Sequence, residues 1–182
     1  MKLIFAVMGL ASCAFAADAG PVASACGPDA VRFEVKTDLP PQAATAQPGK
    51  ALVYAIEDST YGATVRIGLD GAWVGANRGD SWFSFLAEPG EHHLCADWQP
   101  SIMRSTTGLP SPKLISLTSF RAEAGKVYYF RARISVTWPT LNSSAASWST
   151  NSDTFVDLTP IDRDEGQFLI ASYRFSTFHP KK

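Results

Sequence analysis

Short runs of β-branched and aromatic residues, separated by turn sequences, constrain the fold of this chain more than any other feature. Residues 31–36 (VRFEVK) alternate apolar and polar side chains, which is typical of a strand with one face in a core. Asp70-Gly71 separates two such runs, residues 64–69 and 72–76, and this dipeptide favours a tight hairpin turn because glycine tolerates a positive φ. About eight runs of this kind predict an all-β fold, either a small antiparallel β-sandwich or a partly open barrel.

Turn sequences predict two further strand pairs. Residues 81–86 and 92–98 flank Glu88-Pro89-Gly90, and residues 113–123 and 126–138 flank Ala124-Gly125. Residues 51–56 (ALVYAI) are apolar on both faces, which favours a central strand, and residues 155–158 predict one more short strand. Acidic residues at positions 162, 164 and 165, followed by apolar residues at 168, 169 and 173, predict one short C-terminal helix.

Composition and charge limit the classes of function. The 182 residues are 46% hydrophobic and 18% charged, which suits one domain with a packed core. The formal net charge is -1 and the pI is near 6.3. Nucleic-acid binders usually carry a basic excess, because contacts to phosphates dominate their affinity. We therefore expect no nucleic-acid partner.

The N-terminus has the three parts of a secretory signal peptide. Met1-Lys2 is a short positive region, residues 3–10 (LIFAVMGL) are apolar, and Ala14-Phe15-Ala16 is an A-x-A cleavage site. Two alternatives remain open: a second A-x-A site at residues 23–25, and a lipobox-like sequence at residues 10–13 that would make Cys13 a lipidated first residue. We expect an exported protein, periplasmic or extracellular, or alternatively anchored to the membrane as a lipoprotein.

Cleavage after Ala16 divides the chain into four segments. Residues 1–16 are the signal peptide, 17–49 an N-terminal arm with one strand and a linker, 50–175 the β-sandwich domain, and 176–182 a tail. Cys26 and Cys95 then remain in an oxidising compartment, where an even pair most often forms a disulfide; two buried thiols are the alternative. No stretch of the mature chain is apolar over the roughly 20 residues of a membrane-spanning helix.

Several short motifs between Gly49 and Phe130 resemble the bacterial secreted family described as domain of unknown function 2846. These motifs are residues 49–54 (GKALVY), 65–71 (VRIGLDG), 73–77 (WVGAN), 89–95 (PGEHHLC) and 123–130 (EAGKVYYF), with residues 25–28 (ACGP) also fitting the family. The central part is also similar to the PEGA type of surface β-domain. The resemblance implies a small β-sandwich on the envelope side of the membrane, and it implies no known activity or catalytic residue.

The side chains that could serve in catalysis or metal binding do not form a known catalytic or metal-binding pattern. His92 and His93 point to opposite faces of a strand, and His93 and Asp97 lie roughly 13 Å apart at strand rise, too far to share a zinc ion. Residues 162–173 fail the spacing of an EF-hand loop. No G-x-S-x-G, S-x-x-K, H-E-x-x-H or phosphate-loop sequence is present. We expect neither an enzyme nor a cofactor.

A binding surface is a better hypothesis for this chain than a catalytic or metal site. Alternation along residues 127–138 places Tyr129, Arg131 and Arg133 on one face, suited to an anion, a glycan or a protein partner. The alternative is an ordinary polar sheet face whose arginines pair with nearby acids. Trp148 in the Ser-rich residues 141–153 adds a second candidate, because an exposed tryptophan can stack on a sugar.

These observations predict a non-catalytic envelope module that binds an envelope protein or a glycan. A structural component of an envelope complex is the alternative, and a hydrolase with an unfamiliar site is the least favoured reading.

Overall fold

The computed structural model of the protein describes residues 25–40, 44–59, 62–99, 115–137 and 153–181. These residues form strands β1 to β10 and helix α1. The strands are β1 (Phe33–Asp38), β2 (Ala51–Glu57), β3 (Thr64–Leu69), β4 (Ala72–Arg78), β5 (Ser81–Ala87), β6 (Gly90–Trp98), β7 (Ile115–Ala122), β8 (Val127–Thr137), β9 (Asp153–Ile161) and β10 (Arg174–Pro180), and the helix is α1 (Arg163–Ser172).

The strands form two sheets that pack face to face. The six-stranded sheet has the order β1-β10-β5-β2-β8-β9, and the four-stranded sheet has the order β4-β3-β6-β7. Most neighbours are antiparallel, whereas β2 is parallel to β8 and β10 is parallel to β5 over two residues. The predicted all-β sandwich with one C-terminal helix is confirmed.

The main core lies between the sheets and is built from the alternating side chains of their inner faces. Val53, Phe83 and Phe130 face it from the six-stranded sheet, and Val65 and Ile67 face it from the four-stranded sheet. Each of these side chains is almost completely buried, and burial of one such side chain stabilises the fold by about 1.5–3 kcal/mol. The core residues of β2 and β8 thus follow the period-two pattern of the sequence.

Helix α1 covers part of the outer face of the six-stranded sheet. It begins after Asp162, whose side chain accepts a hydrogen bond of 2.8 Å from the Glu165 N–H and caps the first turn. Leu169 packs into a second apolar cluster on that face, whereas Phe168 is 69% exposed. The predicted helix is confirmed, and the sheet beneath it has apolar side chains on both faces.

The hairpin at Asp70-Gly71 is present, but the other two predicted strand pairs are wrong. Asp70 and Gly71 have φ values of 50° and 84°, and β3 pairs with β4 across them. By contrast, β5 and β6 lie in different sheets, as do β7 and β8. The turns at residues 88–89 and 123–126 are therefore corners between the sheets. A turn sequence specifies a reversal of the chain, and it does not specify whether the next strand stays in the same sheet.

The predicted tail is also wrong for residues 176–180, because β10 lies between β1 and β5. Phe178 holds the strand in place: its ring packs edge-on against Phe33 and Phe83, with centroids 5.7 and 5.0 Å apart. Strand β1 pairs with β10 along its whole length. The first and last strands of the described residues therefore lie side by side in the same sheet.

Cys26 and Cys95 lie at disulfide distance, as the sequence predicts, and the structure joins them with their Cα atoms 5.2 Å apart. The segment around Cys26 is also held by Trp73, whose indole N–H donates to the Pro28 carbonyl over 2.8 Å. Arg66, buried in an ion pair with Asp97, donates to the Val31 carbonyl over 2.5 Å. These contacts fasten the N-terminal segment to the four-stranded sheet.

Candidate functional site

A cleft of about 510 Å³ lies on the outer face of the six-stranded sheet, beside α1; we call it the outer cleft. Its floor contains Leu52, Tyr54 and Tyr129. Its walls are formed by Ala44, Ala46, Lys126, Val127, Arg163, Gln167 and Ile170. This volume falls within the range of small-ligand sites, which is about 300–1,000 Å³.

Two stacked tyrosines give the outer cleft a rigid floor. Tyr54 and Tyr129 are register partners on β2 and β8, and their rings lie 5.1 Å apart at an angle of 8°. The Tyr54 hydroxyl donates to the Ala44 carbonyl over 3.3 Å, and burial, followed by the neighbouring Tyr129, raises the pKa of Tyr54. Gly166 of α1 lies directly on the Tyr129 ring, so that a Cβ there would approach it to 2.4 Å.

Tyr129 is therefore not the exposed side chain that the sequence predicts. It is only 7% exposed, because α1 covers this part of the outer face. The alternation of β8 correctly places Tyr129 opposite the main core, but the outer face has a core of its own. Tyr129 contributes to the floor of a cleft rather than to a flat binding surface.

The outer cleft is electrostatically one-sided. Lys126 and Arg163 stand on its walls, and no carboxylate lines it. Neither side chain forms an ion pair within the part of the chain that the structure describes. Some exposed basic groups elsewhere are paired, as in Lys50–Glu88 at 2.6 Å and Arg121–Glu91 at 3.1 Å. Two exposed cations on the walls of a cleft that no carboxylate lines attract an anionic ligand.

The other two predicted surface residues, Arg131 and Arg133, are engaged with acids. Arg131 is paired with Glu165 of α1, and Arg133 with Asp58. Burial alone would raise the pKa of Asp58, but hydrogen bonds from Arg133 and from the Tyr173 hydroxyl lower it below its usual value. This arrangement matches the alternative reading of the sequence, in which the arginines pair with nearby acids.

Glu57 is the most perturbed carboxyl group of the described residues, and it lies away from the outer cleft. Its side chain is fully buried at the end of β2, and burial raises its pKa to about 8. It accepts a hydrogen bond of 2.7 Å from the Ser59 hydroxyl and another from the Gly79 N–H, whereas its Oε2 has no described partner. In this conformation the Glu57 carboxyl group is therefore out of contact with solvent.

Both ring nitrogens of His92 lie within hydrogen-bond distance of nearby protein groups. Its Nδ1 lies 2.6 Å from Asp70 Oδ2, and its Nε2 lies 2.7 Å from the Glu88 carbonyl oxygen. The backbone N–H of His93 donates to Asp70 Oδ1 over 2.8 Å. His92 thus follows the Pro-Gly turn and bonds locally, and Asp70 joins the β3–β4 turn to β6. Within the described ranges, no three His, Cys, Asp or Glu side chains form a candidate metal site.

Trp148 and Cys13 lie outside the described residues, so the structure does not place them. The sequence reading did not identify Lys126, Arg163 or Gln167, which come from two separate segments that α1 brings together. Arg163 had one usable signal, its position at the first turn of a predicted helix.

In the described part of the chain, no helix has the length and apolar character needed to cross a membrane.

No family model matches the chain, and no curated protein matches it.

Proposed function

We propose that the protein is an exported, non-catalytic binding module of the cell envelope, and that its ligand is an acidic glycan held in the outer cleft. The charge of the cleft carries this proposal: Lys126 and Arg163 line it, and no carboxylate does. A uronic acid carboxylate would offer Arg163 a bidentate partner and Lys126 a single one. The envelope location follows from the signal peptide predicted at residues 1–16.

The shape of the outer cleft supports a ring-shaped ligand. Leu52 and the edges of the two tyrosines give an apolar floor, on which the less polar face of a sugar ring can pack. Gln167, exposed on α1, has an amide that can both donate to and accept from hydroxyl groups. A cleft with an apolar floor and a few convergent polar groups is the usual form of a small-ligand site.

A non-catalytic role is supported by the positions of the perturbed groups. Glu57 is buried between the sheets, and Asp58 is held by Arg133 and Tyr173. Neither carboxyl group lines the outer cleft, so a bound glycan would meet no acid and base pair there. Hydrolysis of a glycosidic bond normally requires two such carboxyl groups.

Binding of oligogalacturonate to the purified protein tests the proposal, with a neutral glucose oligomer of equal length as the comparison. We expect titration calorimetry to detect the acidic oligomer only. Lys126→Ala and Arg163→Ala should each weaken binding by at least about tenfold, since a charge-assisted hydrogen bond contributes about 1.5–3 kcal/mol. Gln167→Trp should block the cleft without a change of charge.

Arg121→Ala is the matched control, because it removes one exposed positive charge from the four-stranded sheet. It should leave affinity within about twofold of the unaltered protein, as expected for a distant charge screened by salt. Equal losses in the control and the cleft variants would show non-specific charge attraction. No binding of the acidic oligomer would contradict the proposal and favour the alternative, a structural component of an envelope complex.

Export is tested separately by the N-terminal sequence of the secreted protein, which we expect to begin at Ala17. A chain that begins with lipidated Cys13 would instead make the module a membrane-anchored lipoprotein.

A further inference from the structure

A second cleft, of about 550 Å³, runs along the outward edge of β1; we call it the edge cleft. One wall is formed by residues 33–36, and the other includes residues 62–64 and Arg78. Among the described strands, β1 pairs only with β10. The opposite edge of β1 therefore faces the edge cleft.

The hydrogen bonds of β1 show which of its residues face this cleft. The Lys181 N–H donates to the Arg32 carbonyl over 2.8 Å, which sets the phase of the antiparallel ladder. Because such ladders alternate, Glu34 and Lys36 direct their backbone groups toward β10. Phe33, Val35 and Thr37 direct theirs outward, and of these three Phe33 and Val35 line the edge cleft.

The side-chain amide of Gln99 already bonds the outward backbone groups of Phe33, as the backbone of a neighbouring strand would. Its Oε1 accepts from the Phe33 N–H over 2.6 Å, and its Nε2 donates to the Phe33 carbonyl over 2.9 Å. A primary amide here reproduces the paired donor and acceptor of a peptide group. The next outward position, at Val35, offers the same pair to an incoming backbone.

The charge of the edge cleft specifies the partner. Lys36, Arg78 and Lys181 line it against a single acid, Glu34. A strand added beside β1 would alternate its side chains between the core side and solvent. The side chains on the solvent side would lie beside Lys36, and those on the other side would lie on the same side of the sheet as the buried Phe33 and Val35.

We propose that the outward edge of β1 is a strand-addition site for an extended peptide with alternating apolar and acidic residues. The peptide backbone would pair with Val35 and Thr37, and its acidic side chains would lie near Lys36. Addition of a strand to an exposed sheet edge is an established mode of peptide recognition. This site is separate from the outer cleft and does not depend on the glycan proposal.

The probe is an acetylated and amidated octapeptide of alternating valine and glutamate, added to the isotope-labelled protein. We expect amide hydrogen exchange to slow at Val35 and Thr37, and to stay unchanged at Lys36, whose N–H is already bonded to β10. The same peptide, N-methylated at alternate residues, should not bind because it lacks the donors. A valine–lysine octapeptide should bind more weakly than the valine–glutamate peptide.

Lys36→Glu tests the charge preference. We expect it to weaken binding of the glutamate peptide by about two- to fivefold and to strengthen binding of the lysine peptide, in line with the size of exposed ion pairs. Arg121→Glu, an equal change on the other sheet, should alter neither affinity. Unchanged exchange at Val35 and Thr37 would overturn the proposal, and so would a protein dimer that protects them without peptide, because the occupant would then be a second copy.

Discussion

Replacement of Glu57 by glutamine should remove a large pH dependence from the stability of the fold. Glu57 lies at the corner where the chain passes from β4 to β5 and therefore from one sheet to the other. Its carboxyl group is fully buried and accepts hydrogen bonds from Ser59 and Gly79. Arg78 and Asp80 are the nearby charges, and they act in opposite directions. A glutamine carbonyl can accept the same two hydrogen bonds without a charge to bury.

The magnitude follows from the raised pKa of Glu57. A rise from 4.5 to about 8, at about 1.4 kcal/mol per pH unit, corresponds to an upper limit of about 5 kcal/mol. In this window the native state keeps the proton that the unfolded state has lost. The free energy of unfolding therefore falls as pH rises from about 4.5 to about 8, and the loss levels off above that. The glutamine variant lacks this decline, so its advantage should grow to about 3–5 kcal/mol at pH 9.

Urea unfolding followed by tryptophan fluorescence, at intervals from pH 4 to pH 9, measures this difference. We expect the two proteins to have similar stability at pH 4 and to diverge steadily up to pH 8. Glu91→Gln is the control, because Glu91 is an exposed glutamate and its loss should not change the slope. Parallel curves for Glu57→Gln and the unaltered protein between pH 5 and pH 8 would refute the reasoning, since the buried carboxyl group would then ionise at no cost.

Two further predictions concern covalent and steric constraints. Replacement of both Cys26 and Cys95 by alanine should lower the free energy of unfolding by about 4 kcal/mol on the chain-entropy estimate, measured by denaturant unfolding; a loss below about 1 kcal/mol would contradict the stapling role. Gly166→Ala should destabilise the protein by up to about 2 kcal/mol, because overpacking against Tyr129 costs about 1–3 kcal/mol and alanine regains only about 1 kcal/mol of helix propensity. A thermal melt that shows a stabilised variant would contradict the close approach of α1.

The strands could be predicted from the sequence because their signals are local. Asp70-Gly71 has the positive φ values of its turn type, and alternation along β8 separates Phe130 from its neighbours correctly. The C-terminal strand was missed because residues 174–180 have no turn and partner strand adjacent in sequence. β10 pairs with β1, which lies about 140 residues earlier in the chain. Pairing over such a distance has no local signal.

The assignment of strands to sheets could not be predicted for a related reason. The turns before β6 and β8 look like hairpin turns, yet both strands cross to the opposite sheet. The free energy that decides this comes from burial across the sandwich, where Leu94 of β6 and Phe130 of β8 enter one core from opposite sides. A sequence shows that both residues are apolar, and it does not show which side of the core each one occupies.

The candidate site depends on one element whose position the sequence left open. Alternation placed Tyr129, Arg131 and Arg133 on one face, and all three do lie on the outer face of the sheet. The position of α1 then divides them: Gly166 covers the Tyr129 ring, and Glu165 pairs with Arg131. The same helix brings Arg163 beside the tyrosine floor and opposite Lys126, although these two cations are separated by two strands in sequence.

Because α1 packs on the outer face of the sheet, the polar face of β8 is divided, and part of it becomes a cleft with positive charge. The arginines nearest the helix are neutralised by its own acid or by Asp58, whereas the unpaired Arg163 and Lys126 lie where the helix begins, against the turn before β8. Anion binding on the outer face of the six-stranded sheet should therefore be local to the outer cleft rather than spread along β8. For that reason Arg163→Ala, and not Arg133→Ala, is the substitution that separates a cleft ligand from a ligand of the open sheet face.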